Sequence, residues 1–320
     1  MAVSTKTVQL NQIRCRPYSQ ARDFFALRAF VQTGRQVSKR NYAFLHVGDV
    51  SWRLTHATNQ SIPDCLDLWE DLDGRLIGFA WFTPDHNGVT IQVHPDYFYS
   101  NLRQIICQWV EQKYQSVIRQ ETAGSILRIG CFDHDYLNQD LLKRLGYQKD
   151  PFHYVHFSRP LTRAVKKRSL LSGFNVRATT KADIAARAAL YNVAFGTDAV
   201  TEQSYQQVRT VPDYMADLDL VAVAPSGRLA GFAQCWLDSV NRIGFFEPIG
   251  THPDFRRHGL GKTLIYEGLF RMQTWGMSEA WIYTESPNLP AQKLYTSLDF
   301  NIFAREYDYI KDLNLSNTNS

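Results

Sequence analysis

His252-Pro253-Asp254-Phe255-Arg256-Arg257-His258-Gly259-Leu260-Gly261-Lys262 is the stretch from which the fold can be read. The residues before it, Arg242 to Thr251, form an apolar, strand-like run. Those after it, Lys262 to Thr274, place Leu264, Ile265, Leu269 and Met272 on one face of a helix. The order is therefore strand, turn, basic glycine loop, helix. Glycines at 259 and 261 let the backbone approach a ligand with no Cβ in the way. The N–H groups that open a helix have no partner inside it and point outward, which suits phosphate oxygens. Arg256 and Arg257 add positive charge at the same place.

Three phosphate loops compete for this stretch, and a surface turn with chance glycines is the alternative to all of them. The dinucleotide fingerprint needs a third glycine where Leu264 stands. Gly261-Lys262-Thr263 matches the end of a nucleotide-triphosphate loop, but the first glycine of that loop would fall at Arg256. The pattern Arg-x-x-Gly-x-Gly fits in full at Arg256, Gly259 and Gly261. It resembles the pyrophosphate loop of the GNAT superfamily of acyl-coenzyme A-dependent N-acetyltransferases. The resemblance implies that Arg256, Arg257, His258, Gly259, Leu260, Gly261, Lys262 and Thr263 hold a coenzyme pyrophosphate. It also implies that backbone groups of Ile249, Gly250 and Thr251 bind the pantetheine arm in a slot where the strand splays. Pro248 cannot donate to a sheet ladder, so a bulge or splay is expected there.

Downstream, Asn288-x-x-Ala291-x-x-Leu294-Tyr295 followed by Leu298-Asp299-Phe300 resembles a second motif of that family, a helix that ends in Gly-Phe. Asn288 is the expected N-cap and is counted with the coenzyme-binding residues. Leu294 and Leu298 are expected to face the core, with Tyr295 beside them. By resemblance Tyr295 gives a proton or a hydrogen bond to the departing thiolate; packing is its other reading. Asp299 stands where the family has glycine, and aspartate enters the left-handed conformation at modest cost. Amine acetylation also needs a base. Glu247, set among Phe245, Phe246, Pro248 and Ile249, is the candidate, because partial desolvation raises a carboxyl pKa. An ion pair with Arg242 is its alternative role.

The chain repeats itself. Gly74-Arg75-Leu76-Ile77-Gly78-Phe79-Ala80 returns as Gly227-Arg228-Leu229-Ala230-Gly231-Phe232-Ala233. His94-Pro95-Asp96-Tyr97 returns as His252-Pro253-Asp254-Phe255, and Leu145-Gly146-Tyr147 as Leu298-Asp299-Phe300, at nearly one offset. A repeat this long implies two copies of a domain rather than a solenoid. The expected fold is α+β: two tandem GNAT domains, each a mixed, mostly antiparallel sheet flanked by helices. The expected boundaries are a degenerate domain over 1–158, a linker over 159–172, a catalytic domain over 173–313 and a disordered tail over 314–320. In the first copy, strands are expected near Thr7 to Arg16, Ser51 to Thr55, Cys65 to Trp69, Leu76 to Phe82, Thr90 to His94 and Ser125 to Cys131. Helices are expected near Ser19 to Thr33, Asn101 to Ile118 and Leu137 to Leu145. The second copy should hold helices near Lys181 to Phe195, Thr201 to Arg209 and Pro290 to Leu298.

The first copy lacks the chemistry. Phe98, Asn101 and Arg103 stand at the places of Arg256, Gly259 and Gly261, and Leu142 at the place of Tyr295. It is expected to bind no coenzyme tightly and to shape the acceptor cleft or stabilise the fold. The 320 residues are 44% hydrophobic and 21% charged, with a net charge of +4: a globular composition, suited to an anionic ligand and without a nucleic-acid signature. No apolar run approaches a membrane span and no leader is read, so a cytoplasmic location is expected. The five cysteines include no Cys-x-x-Cys and read as reduced, mostly buried thiols. His153 and His156 make a poor metal pair, and no metal is expected. Arg163, Lys166, Lys167 and Arg168 read as a solvated linker rather than a nucleic-acid patch.

The function these residues imply is direct transfer of an acetyl group from acetyl-coenzyme A to a primary amine of a small molecule, by a monomer or homodimer. Tandem GNAT enzymes similar to mycothiol synthase share this layout. Two other readings stay open: a non-catalytic acyl-coenzyme A sensor, and an aminoacyl transferase that uses charged tRNA.

Overall fold

The computed structural model describes residues 7–37, 44–55, 62–83, 88–118, 125–162, 164–165 and 173–314. Arg163, Lys166, Lys167 and Arg168 of the expected linker, and residues 315–320 of the tail, lie outside them. The helices are α1 (Gln20–Val37), α2 (Val47–Thr55), α3 (Ile62–Cys65), α4 (Leu102–Ile118), α5 (Tyr136–Arg144), α6 (Ile184–Phe195), α7 (Glu202–Val208), α8 (Leu260–Thr274) and α9 (Leu289–Thr296). No helix among the described residues is long and apolar enough to cross a membrane.

Two compact units form, and neither follows the order of the sequence. Unit 1 takes Met1–Phe44, Gln60–Val155 and Ala304–Ser320; unit 2 takes Leu45–Asn59 and His156–Phe303. In unit 1, β1 (Ile13–Pro17), β2 (Leu66–Asp71), β3 (Leu76–Thr83) and β4 (Gly88–Val93) pair antiparallel in that order. β4 runs parallel to β5 (Ile126–Phe132) at Gly88 and Val89. Beyond β5 the chain end returns: β12 (Asn301–Asp312) pairs antiparallel with it from Glu306 to Asp312. α4 presents Leu102, Ile106, Val110 and Tyr114 once per turn, and these bury against Ile77, Val89, Ile91 and Val93 of the sheet. Each such side chain contributes roughly 1.5–3 kcal/mol on burial.

In unit 2, β7 (Asn175–Ala178), β8 (Asp219–Val223), β9 (Leu229–Asp238) and β10 (Ile243–Thr251) pair antiparallel, and β10 then runs parallel to β11 (Glu279–Glu285). The part of β6 (Gln148–Pro160) from His156 onward lies beside β11. α8 buries Leu264, Ile265, Leu269 and Met272 completely, the face its spacing predicts. β6 and β12 each change unit along their length, at Val155/His156 and Phe303/Ala304.

The repeat recurs in detail. Arg16 grips Asp23 with two hydrogen bonds of 2.7 and 2.8 Å, and Arg177 grips Asp183 with two of 2.6 and 2.8 Å. His94 accepts from the Asp96 N–H and His252 from the Asp254 N–H. Asp135 caps α5 and Asn288 caps α9, each at 3.2 Å from the N–H three residues on. Gly146 and Asp299 are both left-handed, with φ of 85° and 62°. Asp299 thus adopts the conformation expected of it.

One element differs from expectation. Ser51 to Thr55, expected as a strand, is the second half of helix α2. The apparent alternation of Trp52 and Leu54 misleads, because the helix buries Val47 through Trp52 on more than one face. Its start is closed reciprocally: the His46 N–H donates to Asp49 at 2.9 Å, and the Gly48 N–H to His46 Nδ1 at 3.0 Å.

Candidate active site

The basic glycine loop sits between β10 and α8. Arg257 and Gly259 are both left-handed, with φ of 70° and 75°, and Gly259 is the N-cap of α8. A cap glycine has no side chain to close the helix start, and no side-chain cap bond is made. Thr263 supplies the first helical bond, from its N–H to Gly259 O at 3.1 Å. The N–H groups of the preceding turn are left for an outside acceptor. A Cβ on Gly259 would meet nothing within 4 Å. One on Gly261 would point between Leu294 of α9, at 3.4 Å, and Thr251 of β10, at 3.8 Å. Lys262 is half-buried in that first turn, and His258 Nδ1 lies 2.9 Å from Arg256 O. Arg256 Nη2 donates to Ala194 O at 2.9 Å, and Nε to Thr251 O at 3.4 Å. Arg256 therefore ties the loop to the C-terminal end of α6.

The slot has a structural counterpart. β10 pairs with β11 at Ile243, Gly244 and Phe245, and that pairing is recorded no further along the strand. On the other edge, the register with β9 breaks between Phe246 and Ile249 and resumes at Ile249, Gly250 and Thr251. Pro248, which lacks an N–H, sits in that break. Gly250 packs so closely on the Phe232 ring that a Cβ there would lie 2.5 Å away.

Glu247 lies at the same break, before Pro248. It keeps a solvent-facing edge but is deeply surrounded. Burial is the largest cause of lifting its carboxyl to about 8; Asp49 adds to the rise, while Arg53 and a hydrogen bond from Tyr283 oppose it. Trp236 Nε1 donates to Glu247 O at 2.6 Å. Arg242, the alternative partner, donates instead to Gly276 O at 3.0 Å.

Tyr295 is 7% exposed, with Phe157 edge-on at 5.5 Å and Phe300 at 6.3 Å. Tyr295 is the buried residue of α9, Leu294 is half-buried against the loop glycine, and Leu298, just beyond the helix, is buried. Leu298 thus faces the core as expected, with Tyr295 beside it and Leu294 only half covered. Burial, and second the charge of Glu247, push the Tyr295 hydroxyl well above its usual range, so it keeps its proton. Tyr191 of α6 is raised by the same two causes in the same order. Three tyrosines, 191, 283 and 295, thus surround one carboxyl. The sequence reading missed Tyr191, Tyr283, Asp49 and Arg53; none lies in a motif, and only tertiary structure brings them to Glu247.

Unit 1 shows what the equivalent place looks like when closed. Ser100 Oγ accepts from the Leu102 N–H at 3.1 Å, capping α4. Asn101, at the position of Gly259, bonds Val8 twice, accepting from its N–H at 2.7 Å and donating to its carbonyl at 3.1 Å. The chain's own residues fill what is open in unit 2. Cys235, expected as a packing thiol, is buried in β9, and burial raises its pKa. The five cysteines are free, and all but Cys15 are buried. Among the described residues no group of three or more His, Cys, Asp or Glu could hold a metal ion.

In each unit antiparallel strands lead to a parallel pair joined through a long helix, and with the open glycine loop of unit 2 this defines a tandem GNAT fold. Residues 188–300 match the acetyltransferase (GNAT) family. Over 95 residues it is 35% identical to a mycothiol acetyltransferase of Actinosynnema mirum, covering 29% of this chain and 31% of that protein. Over 121 residues it is 31% identical to a mycothiol acetyltransferase of Thermobifida fusca, covering 35% and 37%. The match therefore spans only 31% and 37% of the length of these relatives. Among solved structures, a tandem GNAT protein from the clavulanic acid biosynthesis pathway superposes with a TM-score of 0.68 at 15% identity, covering 94% of this chain and 99% of that one. A GCN5-related N-acetyltransferase from Sphaerobacter thermophilus superposes with a TM-score of 0.66 at 16% identity, covering 94% and 96%. At these identities the structural likeness speaks for the fold.

Proposed function

We propose that unit 2 transfers an acetyl group from acetyl-coenzyme A to a primary amine of a small molecule by direct attack. The observation that carries this reading is the open start of α8, set against its capped counterpart in unit 1. Backbone N–H groups around Gly259 to Lys262 would hold the pyrophosphate, and β10 from Ile249 to Thr251 the pantetheine arm. The thioester supplies an activated acetyl group. Glu247 accepts the proton of the incoming ammonium, directly or through a water; Tyr295 gives its proton to the departing sulfur and regains one from the second proton that the nitrogen loses as the amide forms. An amide of β10 polarises the carbonyl. The names of the matched relatives support acetyl transfer; the identity of the acceptor stays separate from theirs.

The test is calorimetric titration with acetyl-coenzyme A, followed by a free-thiol release assay against amines, aminoglycosides, amino acids and peptide N-termini. One site per chain and thiol release with an amine are expected. Binding without release on any amine would leave a sensor, and a tRNA mobility shift without coenzyme binding would favour the aminoacyl transferase. Tyr295→Phe keeps the ring packed against Phe157 and Phe300 and removes only the proton. It should lower kcat about 100-fold with little change in coenzyme affinity. Unchanged turnover would remove Tyr295 from the mechanism.

A further inference from the structure

Helix α2 arises in the first half of the sequence but belongs to unit 2. Three contacts seat it there. His46 brings Nε2 to 3.1 Å from Ile243 O, and its ring to 5.0 Å from Phe245. Gly48 approaches Trp236 so closely that a Cβ would lie 2.4 Å from the indole. Ser51 Oγ donates to Asp213 at 3.1 Å. The same indole holds Glu247 O through its N–H, so a single side chain separates the α2 backbone from residue 247. The reciprocal cap fixes Asp49 at the helix start, and Arg53 follows one turn later on the same face.

We propose that α2 is a wall of the acceptor end of this site, and that Asp49 and Arg53 are positioning residues whose opposed charges decide when Glu247 can take up a proton. The proposal rests on the reading of Glu247 as the base. The groups that face Glu247 are Asp49 and Arg53 from α2, Tyr191 from α6, Tyr283 from β11 and Tyr295 from α9. Asp49 and Arg53 are the carboxyl and the guanidinium among them. Asp49 opposes ionisation of Glu247 and Arg53 favours it.

The test needs no acceptor. Side-chain ¹³C-glutamate resonances of the full chain are titrated with pH, and the Glu247 signal is assigned by its loss in Glu247→Gln. Asp49→Asn keeps an oxygen for the His46 N–H and removes the charge; it should move the Glu247 midpoint down by about half a pH unit or more. Arg53→Met should move it up by a similar amount, and Arg53→Lys should restore it. A helix that is merely structural, and is unseated by either change, would let both midpoints fall towards that of an exposed carboxyl. A common fall, or no movement in either variant, overturns the proposal. Thiol release by Glu247→Gln equal to wild type would instead defeat the base assignment, and would do so whatever the midpoints show.

Discussion

Gly261→Val is expected to weaken acetyl-coenzyme A binding by about 100-fold or more while leaving the melting temperature within a few degrees of wild type. The missing Cβ of Gly261 points between Leu294 and Thr251, where protein contacts would be ordinary rather than clashing. Valine is also no worse than glycine as a helix former, by a few tenths of a kcal/mol in its favour. The fold should therefore tolerate the change. A bound pyrophosphate should not, because two methyl groups would stand over the N–H groups that face it. Losing two charge-assisted hydrogen bonds at about 1.5–3 kcal/mol each gives the expected range. Calorimetry together with thermal melting separates the two effects. Unaltered affinity would mean that the start of α8 is not where the coenzyme binds.

Glu247→Gln should lower kcat/KM for the amine by about 10²–10⁴ at neutral pH. It should also abolish the rise in kcat/KM expected of wild type as pH increases through about 8, the value to which burial lifts this carboxyl. Stability should move the other way. The folded-state pKa lies above the ordinary carboxyl value, so native Glu247 holds a proton that the unfolded chain has already released. Its favourable contribution is complete below the unfolded pKa and is lost as pH rises through the folded one. Glutamine, always neutral, escapes that loss. The variant should melt close to wild type at pH 4 and above it at pH 9. A variant that is less stable at both ends would mean that Glu247 is held by partners for its charge rather than kept neutral by burial.

The features legible in the sequence were those fixed by neighbours in the chain. The glycine loop, the buried face of α8, the Asn288 cap and the left-handed Asp299 are each decided within a turn or two. The repeat was legible because both copies keep the same local devices, His94 with Asp96 and His252 with Asp254. The bidentate Arg16–Asp23 and Arg177–Asp183 pairs were just as local and went unnoticed, because the intervening residues differ. What could not be read depends on which unit a segment joins. Ser51 to Thr55 reads as a strand from the apparent alternation of Trp52 and Leu54, while the helix is selected by a cap at His46 and burial against Trp236. The surroundings of Glu247 come from α2, α6, β11 and α9, and no spacing announces that convergence. Arg256 was placed at the right turn, yet its bond to Ala194 depends on where α6 ends.

The traded segments bear on the history of the chain. An ancestral doubling ordinarily leaves a spare that can decay or be discarded. Here the first half of the chain supplies α2 to unit 2, and the closing strand β12 completes the sheet of unit 1. Neither half of the sequence is then self-contained, and a substitution near residue 49 acts on the unit built mostly from the other half.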